Sequence, residues 1–507
     1  MGMGVATMVG ARLDPVLTDW AADLRAGRIG SAGWAGGVEP AWAASGAMAL
    51  TGQPDGPPLG LTVPLVARLD AALQVIRTLA ASLGHPFPPA GGSAGGVLSS
   101  AGPLLGERAA ALGLTRGGVL SAGRAARLVQ AADGWLAVNL ARPDDVDLLP
   151  AWLEAEVEPT AADRADDVRP VTERSASPPF PARPWTNLAA LVATRQAAPL
   201  VERAELLGLA VSLAVAPAVA AADEQALARG QRFPFAPFLV DGLPPEAAAP
   251  TAPRRPADRH DGGFSVVDLS SLWAGPLCAQ LLGLAGGRVV KVEGVGRLDG
   301  ARQGPPDFYD LLHAGQASVT VELRTPAGRA ALVGLIERAD VVLEASRPRA
   351  LEALGIDPAD MITRNPRLTW VSITGYGRTG PWRQRPAFGD DAAAAAGAVA
   401  VDGAGSPVFL GDAIADPVTG VLAAAGALAS VAAGGGHQLD VALREAVGSL
   451  LAGRPVLPDR DLTVADGAPV LVAPPRLRPP CGRAAPAGQD NDRLLTGAGP
   501  SSTAGRP

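Results

Sequence analysis

The sequence has few of the residues that build disulfide scaffolds, zinc sites and basic binding surfaces. It contains 2 cysteines, 4 histidines and a single lysine, Lys291, among its 43 basic residues. Cys278 and Cys481 lie far apart without a CxxC pair, which excludes a disulfide scaffold and a thiolate zinc site and fits a reducing compartment. The net charge is −7 and no basic run forms a stripe, so nucleic-acid binding has no electrostatic support.

The chain also lacks the segments that target or anchor a protein to a membrane. Its N-terminus has no basic stretch followed by a long apolar run, so no signal peptide is predicted. The most apolar stretch, 417–433, is rich in alanine and falls short of the roughly 20 residues that a spanning helix needs. We therefore expect a cytoplasmic protein without a membrane partner.

The length and composition are those of a globular chain with more than one core. With 507 residues, two to four domains are expected. The stretches 156–184 and 241–262 are rich in proline, aspartate, arginine and alanine without apolar periodicity, which predicts linkers. The tail beyond about residue 480 is rich in glycine, serine and proline, and its end is predicted to be disordered.

Short apolar runs alternate with helical segments between residues 264 and 455. A helix is predicted over 276–285, and strands are predicted at 266–269, 288–293, 319–323, 341–345 and 368–374. Thr325 and Pro326 supply an N-cap and a first-turn proline for a further helix that runs to about Arg338. This alternation predicts an α/β fold whose large domain holds a Rossmann-like parallel sheet with crossover helices.

A faint internal repeat relates the two halves of the chain. AASGAMALTG (43–52) matches AAAGAVAVDG (394–403) at most positions, and a long helix rich in alanine and leucine follows in both. Chance similarity between alanine-rich helices is the alternative. We interpret 1–120 as a partial, diverged copy of the large domain, with an interface extension as the other interpretation.

The middle of the chain predicts a smaller α/β module. Residues 127–155 have the pattern of two strands followed by a helix, and Asp133-Gly134 between the strands is a hairpin signal. The predicted organisation is therefore the partial copy at 1–120, the small module at 121–240, a linker at 241–262, the large domain at 263–455, and a C-terminal segment with a disordered tail at 456–507.

Five stretches follow one another in a distinctive order. They are VVDLSSLWAGPLCAQLLGLAGGRVVKVE (266–293), SVTVELRTPAGRAAL (318–332), ADVVLEASRPRALEALGID (339–357), NPRLTWVSITGYGRTGP (365–381) and GDAIADPVTGVLAAAGAL (411–428). In order and spacing they resemble the large domain of the class III CoA-transferases, which include formyl-CoA transferase, carnitine CoA-transferase and α-methylacyl-CoA racemase. More loosely, DGWLAV (133–138) resembles the small domain of that family, and 470–490 its C-terminal return segment.

The resemblance implies an enzyme that moves coenzyme A from an acyl-CoA thioester to a carboxylic acid. It implies acyl-CoA and a carboxylic acid as substrates, no permanently bound cofactor, no metal, and a homodimer of interlocked chains. Covalent catalysis through an acyl–aspartyl anhydride and an aspartyl-CoA thioester is expected. The acyl donor and the acceptor do not follow from the sequence, because apolar pockets cannot be inferred from linear order.

Asp416, in IADPVTG (414–420), occupies the position of the family's nucleophilic aspartate. A carboxylate has a pKa of about 3.9 and is a weak nucleophile in water. Placed just before a helix N-terminus in a site that excludes water, it would stay ionised and become reactive. A plain N-cap aspartate is the structural alternative, and Asp412, in a Gly-Asp pair that also resembles the family, is the rival nucleophile.

Several residues are predicted to bind CoA or to stabilise charge. Ala274 and Gly275 lie at a predicted helix N-terminus, where backbone N–H groups suit a ligand. Arg347 follows a strand at the ligand-binding edge of the sheet, and Lys291 is the other candidate cation, with a surface charge as its alternative. Gly375 and Tyr376 are predicted to offer backbone donors to oxyanions, with simple strand-end turning as the alternative.

The chain departs from the family pattern where the family carries cations. Gly294 and Ala353 stand at positions that are usually arginine, and the basic stretch near 313–318 is absent. An inactive CoA-binding protein is therefore one alternative function. The other is a racemase that uses Asp416 and Asp390 for proton transfer. The racemase branch needs a histidine near Phe388 and none is present, so a transferase is favoured, with Asp390 lining the substrate site.

The first half lacks the feature that would make it catalytic. Leu65, Val66, Ala67 and Arg68 match the segment around Asp416 in the repeat, and none of them is a carboxylate. We therefore predict that the first half is non-catalytic and contributes structure and part of the acyl pocket.

Overall fold

The structure is a computed structural model that describes residues 40–87, 98–166, 183–231, 238–242, 263–451 and 471–495, with the isolated positions 19, 22, 23, 236, 458 and 459. The strands are β1 (Gly60–Leu61), β2 (Ala126–Gln130), β3 (Trp135–Asn139), β4 (Ala210–Ala214), β5 (Leu239–Gly242), β6 (Phe264–Asp268), β7 (Gly287–Gly294), β8 (Ala317–Val321), β9 (Val341–Glu344), β10 (Thr369–Thr374), β11 (Val399–Val401), β12 (Pro407–Phe409), β13 (His437–Ala442) and β14 (Pro458–Asp459).

The α-helices vary from one turn to five turns. They are α1 (Pro40–Ala44), α2 (Leu65–Ser82), α3 (Glu107–Leu112), α4 (Pro143–Asp147), α5 (Leu149–Leu153), α6 (Ala161–Asp166), α7 (Trp185–Val192), α8 (Ala197–Leu207), α9 (Pro217–Ala220), α10 (Glu224–Ala228), α11 (Ala274–Leu284), α12 (Pro306–His313), α13 (Pro326–Glu337), α14 (Pro348–Glu352), α15 (Pro358–Arg364), α16 (Gly389–Ala395), α17 (Ala415–Ala432), α18 (Leu443–Leu451) and α19 (Asn491–Leu495). Short 3-10 turns occur at Met48–Leu50, Gly102–Leu105 and Gly300–Gln303.

A seven-stranded sheet organises the second half of the chain. Its strand order is β5-β13-β10-β9-β6-β7-β8, and only β5 at one edge runs antiparallel to its neighbour. Every residue of β9 and β10 is buried, as expected for parallel strands covered on both faces. The predicted α/β fold with a parallel sheet is therefore confirmed, and the predicted strands differ from the observed ones by at most two residues at either end.

The helices that cover this sheet begin where local chemistry favours them. The Thr325 hydroxyl accepts a 3.0 Å hydrogen bond from Gly328 N–H, which confirms the predicted cap of α13. Helix α17 is long and apolar enough to cross a membrane, but 83% of its apolar window is buried inside the protein. It crosses α11 closely at Gly420, where a Cβ would lie 2.8 Å from the carbonyl oxygen of Ala274.

The small module is an antiparallel sheet, β2-β3-β4, covered by short helices. The predicted hairpin is present: Gln130 pairs with Trp135, so the connecting loop has four residues, and Asp133 in that loop accepts a 2.8 Å hydrogen bond from Ala197 N–H. Helix α6 lies inside the predicted linker 156–184. Its residue Asp163 accepts hydrogen bonds from the N–H and hydroxyl of Thr186, which tie this part of the chain to the small module. Residues 167–182 of that stretch, and 243–262 of the other predicted linker, lie outside the described residues.

The N-terminal region shares one hydrophobic core with the large domain. Trp42, Met48 and Leu65 pack in the same buried cluster as Phe264 and Leu422. Helices α2 and α17 have 18 residues each, pack against each other, and occupy corresponding places in the proposed repeat. The interpretation of 1–120 as a diverged copy stays a prediction.

The C-terminal segment covers the free edge of the large sheet. Asp490 accepts a 2.9 Å hydrogen bond from Ser318 N–H, and Asn491 accepts one of 2.8 Å from Thr320 N–H, so both bind β8. The predicted return segment, 470–490, therefore lies almost wholly within the described residues 471–495, and the predicted disorder at the end of the tail stays a prediction. The last twelve positions, 496–507, lie outside the described residues.

Candidate functional site

Asp416 lies in the first turn of α17, directly after a loop with unusual backbone geometry. Gly411 has φ +59° and Ala413 has φ +44°, a left-handed conformation that an alanine rarely adopts. The loop is pressed against α16, since a Cβ on Gly389 would lie 2.3 Å from the carbonyl oxygen of Ala413. A strained alanine held by its surroundings is a common feature of functional sites.

The helix begins two residues earlier than a cap at Asp416 would place it. Ile414 already has helical dihedral angles and is the N-cap, so Asp416 is inside the first turn instead of ahead of it. Its own N–H donates to the carbonyl of Ala413 at 2.9 Å. Its side chain caps no backbone N–H within the described residues, which removes the plain N-cap as an account of this aspartate.

Three carboxylates surround Ala413. Asp412 directly precedes Ala413, and Asp416 follows it three residues later. Asp390, at the start of α16, accepts a 2.9 Å hydrogen bond from the N–H of Ala413. Asp390 and Asp412 are buried, whereas Asp416 is partly exposed. The predicted nucleophile, its rival and the predicted substrate-lining aspartate therefore meet at one loop.

A single arginine from the N-terminal region binds this group. Arg108 of α3 donates from Nε to Asp412 Oδ2 at 2.9 Å and from Nη2 to Asp412 Oδ1, a bidentate ion pair. Its guanidinium lies over the indole of Trp273, 5.5 Å from the ring centroid. The sequence did not indicate this residue, because the two partners are 304 positions apart and neither lies in a local motif with the other.

Burial and charge repulsion raise the pKa values of Asp416 and Asp390. Burial raises the pKa of Asp416 to about 7, Arg108 opposes the rise, and the charges of Asp390 and Asp412 add to it. Burial, then the charge of Asp412, raises the pKa of Asp390 to about 7 as well, again opposed by Arg108. Asp416 is therefore ionised in roughly half of the molecules near pH 7.

The free lone pairs distinguish Asp416 from Asp412. Both oxygens of Asp412 are held by Arg108, so attack by either would break a buried ion pair. Within the described part of the chain, no side chain or backbone group donates a hydrogen bond to the Asp416 carboxylate. Of the two aspartates, Asp416 is the one whose oxygens are available to a substrate.

The small module contacts helix α16, which carries Asp390, through the neighbouring residue Asp391. Asn139 Nδ2 of β3 donates to Asp391 Oδ1 at 2.9 Å, and the Ser212 hydroxyl of β4 donates to the Asp391 carbonyl at 2.8 Å. Burial raises the pKa of Asp391 to about 8, although the hydrogen bonds from Phe388 N–H and Asn139 oppose the rise. The other oxygen, Oδ2, is buried without a partner among the described residues. Asp391 is therefore protonated at neutral pH.

Replacing Asp391 with asparagine should stabilise the protein increasingly as the pH rises. A carboxyl whose folded pKa is about 8 and whose unfolded pKa is near 3.8 makes folding less favourable as the pH rises through that interval. Asparagine keeps the acceptor oxygen and cannot ionise, so the gain in unfolding free energy should be small at pH 5 and grow by several kcal/mol towards pH 8. Urea unfolding between pH 5 and pH 9 measures it. An equal effect of Asp133→Asn, on an exposed aspartate, would contradict the explanation.

The residues predicted to bind CoA lie in different environments. Ala274 and Gly275 form the first turn of α11, where Gly275 passes so close to Ser270 that a Cβ would lie 2.2 Å from its hydroxyl. Lys291 is buried in β7, with its ammonium 3.0 Å from Asp299 Oδ2 and 3.5 Å from Asp268 Oδ2. A cation that two carboxylates already neutralise is not available to a phosphate, so Lys291 plays no part in the proposal below.

Arg347 lies among other arginines at the carboxyl edge of the sheet. It is the N-cap of α14, directly after β9, and its guanidinium lies 3.6 Å from the Cβ position of Gly208 in the small module. Burial, followed by the charges of Arg349, Arg142 and Arg297, lowers its pKa. Arg347 has no carboxylate partner within the described residues, so this group of like charges favours an anion.

Gly375 and Tyr376 lie in a crowded turn after β10. A Cβ on Gly375 would lie 2.6 Å from that of Ala387, and the Tyr376 ring is buried edge-on to Trp382 at 5.6 Å between centroids. Burial raises the pKa of Tyr376. Gln225 Nε2 donates to the Tyr376 carbonyl at 2.7 Å, and that carbonyl is therefore occupied. The role of the turn as an oxyanion donor stays a prediction.

Two further polar atoms next to the crossing of α11 and α17 are buried without a partner among the described residues. They are the indole Nε1 of Trp273 and the hydroxyl of Thr419. Buried donors of this kind cost free energy unless a ligand or water binds them. Among the described residues, no group of three or more histidine, cysteine, aspartate or glutamate side chains is placed to hold a metal ion.

Comparison with known proteins shows what this part of the chain is similar to. Residues 262–463 match the family model described as CoA-transferase family III. An acyl-CoA transferase of Fusarium pseudograminearum is 35% identical over 210 residues, which are 37% of this chain and 46% of that protein. The succinyl-CoA–D-citramalate CoA-transferase of Chloroflexus aurantiacus is 33% identical over 224 residues, 42% of this chain and 54% of that protein.

The likeness extends to solved structures over a similar span. A CAIB/BAIF family protein from Brucella suis is 30% identical, with 38% of this chain and 55% of that chain covered and a TM-score of 0.35. The chain thus spans about half the length of the two relatives named above, 46% and 54% of them.

Proposed function

Because residues 262–463 match CoA-transferase family III, we propose that this chain moves coenzyme A from an acyl-CoA thioester to a free carboxylic acid, with Asp416 as nucleophile. The observation that carries the proposal is the state of the Asp416 carboxylate. It is partly exposed, has no hydrogen-bond donor within the described residues, and has a pKa raised to about 7 by burial. A poorly solvated carboxylate that is ionised near neutral pH is a competent nucleophile.

The reaction proceeds in four acyl transfers. An Asp416 oxygen attacks the thioester carbonyl and the C–S bond breaks. CoA thiolate is released, and an acyl–aspartyl anhydride is formed. The thiolate attacks the aspartyl carbonyl and releases the donor acid. The acceptor carboxylate attacks the resulting aspartyl-CoA thioester and releases the thiolate again. The thiolate then attacks the acceptor carbonyl of the new anhydride, which frees Asp416 and completes the new acyl-CoA.

The surroundings of Asp416 suit this sequence of steps. Each step exchanges one acyl bond for another of similar energy, so the site must supply oxyanion donors and exclude water. The buried and unpartnered Trp273 Nε1–H and Thr419 hydroxyl are candidate donors next to the crossing of α11 and α17. The close contact of Gly420 with the first turn of α11 places Ala274 and Gly275 beside the nucleophile's helix. We propose that this turn faces the bound pantetheine.

The phosphates of CoA would bind at the arginine group on the carboxyl edge of the sheet. Arg347 follows β9 and Arg297 follows β7, and ligands of open α/β sheets bind where such strands end. Arg349 adds a third cation, whereas Arg142 of the small module is already paired with Asp145 and donates to the Gly208 carbonyl at 2.6 Å beside them. Arg297, Arg347 and Arg349 offer the positive charge that the sequence lacks at Gly294 and Ala353. The cytoplasmic location and the homodimer remain predictions.

Trapping the covalent intermediate tests the proposal. The protein is incubated with an acyl-CoA in the absence of an acceptor acid and then treated with hydroxylamine, which converts an aspartyl anhydride or thioester to a hydroxamate. Peptide mass spectrometry should locate the hydroxamate at Asp416, and only in samples that received acyl-CoA. The Asp416→Asn variant is the matched control and should carry no label.

Other outcomes of the same experiment would contradict the proposal. A label at Asp412 would make that residue the nucleophile. No label, together with acyl-CoA-dependent exchange of α-carbon hydrogen in deuterated water, would favour a racemase that uses Asp416 and Asp390, whose pKa values both lie near 7. No label and no exchange, with CoA bound in calorimetry, would indicate an inactive CoA-binding protein.

A further inference from the structure

The N-terminal helix α3 is fixed in place by contacts that do not involve the candidate site. Glu107, its first residue, is buried and forms a bidentate ion pair with Arg478 of the C-terminal segment. The preceding turn, Gly102–Leu105, buries Leu104 and Leu105 in the core shared with the large domain. The next residue along α3 is Arg108, so a rigid element presents its guanidinium to Asp412.

Arg108 is held on two sides at the loop that carries the nucleophile. Two of its nitrogen atoms bind the two oxygens of Asp412, and its planar group lies over Trp273, the N-cap of α11. Asp412, Ala413 and Asp416 are consecutive parts of the loop and first turn. Because Arg108 holds Asp412, it also holds the strained Ala413 next to it, and this loop sets the position of Asp416.

The charge balance around Asp416 depends on this one cation. The charges that act on Asp416 are those of Arg108 on α3, Asp390 on α16 and Asp412 in the preceding loop. The other charged residues on elements packed against α17 are Arg68, Asp70 and Arg77 on α2, Asp391 on α16, Asp440 on β13, and Arg444 and Glu445 on α18. Helix α11, which crosses α17, carries no charged residue. Three carboxylates close together cannot all ionise without a counter-charge.

We propose that Arg108 is a positioning residue of the active site, which keeps Asp416 anionic and holds its loop, so that the N-terminal region is part of the catalytic machinery. This inference rests on the proposed function. It departs from the expectation from the repeat that the first half is non-catalytic. Residue 108 lies outside the segment 262–463 that matches CoA-transferase family III, so the site of this chain is completed by a region beyond the family match.

The pH dependence of kcat tests the role of Arg108. Removing the cation raises the pKa of Asp416 further, because Arg108 is the charge that lowers it. As the pH falls, Asp416 should then become protonated at a higher pH than in the wild type. For Arg108→Gln we expect the acid limb of the kcat profile to move up by about 1 pH unit, with about a tenfold lower rate at pH 6 and recovery towards the wild-type rate at high pH. Arg108→Lys should restore part of the shift.

A structural role alone would give a different result. Arg116 donates to the carbonyls of Gln53 and Gly56 at 2.9 and 2.7 Å and anchors the same region away from the carboxylates. Arg116→Gln should lower stability and leave the acid limb in place. If Arg108→Gln lowers kcat equally at every pH, or leaves it unchanged, Arg108 does not set the charge of Asp416. If wild-type Asp416 takes no label in the trapping experiment, the proposed function itself fails, whatever the profile of Arg108→Gln.

Discussion

Replacing Asp416 with asparagine is expected to lower kcat by about 10³-fold or more. The amide cannot attack a thioester to form an anhydride, and the route through an aspartyl-CoA thioester is closed. Stability should change little or improve at pH 8, because burial raises the pKa of Asp416 to about 7 and an amide in this position cannot ionise. Steady-state kinetics with an acyl-CoA and an acceptor acid, together with thermal unfolding, measure the two effects.

Two further variants make the same chemical change elsewhere. Asp357 is an exposed N-cap whose Oδ1 accepts a 2.7 Å hydrogen bond from Ala359 N–H, and asparagine caps equally well, so Asp357→Asn should leave kcat unchanged. Asp412→Asn replaces the ion pair with Arg108 by a neutral hydrogen bond and should lower kcat less than Asp416→Asn does. Full activity of Asp416→Asn with loss of activity in Asp412→Asn would assign the nucleophile to Asp412.

The parts of the fold that local sequence determines could be predicted. Apolar runs bounded by glycine predicted the parallel strands, and Thr325-Pro326 predicted a helix start that the Thr325 hydroxyl indeed caps. Each of these features depends on residues within one or two turns of each other. The loop around Asp416 was also predictable in part, because its motif is contiguous.

The rest of the site depends on long-range packing that no local pattern encodes. Arg108 reaches Asp412 only because the N-terminal region folds into the core of the large domain. Lys291 looked available in the sequence, but in β7 it is buried together with Val292 and Glu293, and its ammonium pairs with Asp268 and Asp299. A single charged residue in an apolar strand can therefore be a ligand-binding cation or a buried partner of carboxylates, and only its neighbours in the fold decide between the two.

The same long-range packing produces another buried ion group away from the site. Arg229, after α10, donates from Nε and Nη2 to the two oxygens of Glu445 at 2.6 and 2.8 Å. Its Nη1 donates to Asp440 Oδ2 at 2.6 Å and to the Thr379 hydroxyl at 3.0 Å. All three charged side chains are at most 2% exposed. The group joins residues near the end of the small module to β13 and α18 of the large domain.

Replacing Arg229 with leucine should lower the free energy of unfolding by about 3–5 kcal/mol, because two buried carboxylates lose their counter-charge. Burial raises the pKa of Glu445 and Arg229 opposes the rise, so in the variant the folded pKa lies higher still. Stability of the variant should therefore recover as the pH falls and decline as it rises, which urea unfolding at pH 5 and pH 8 can measure. Arg364→Leu removes an exposed pair with Glu337, 55% and 43% exposed, and should cost at most about 0.5 kcal/mol at either pH. Equal losses in the two variants, or a loss in Arg229→Leu that does not depend on pH, would mean that the buried group does not stabilise the junction through its charge.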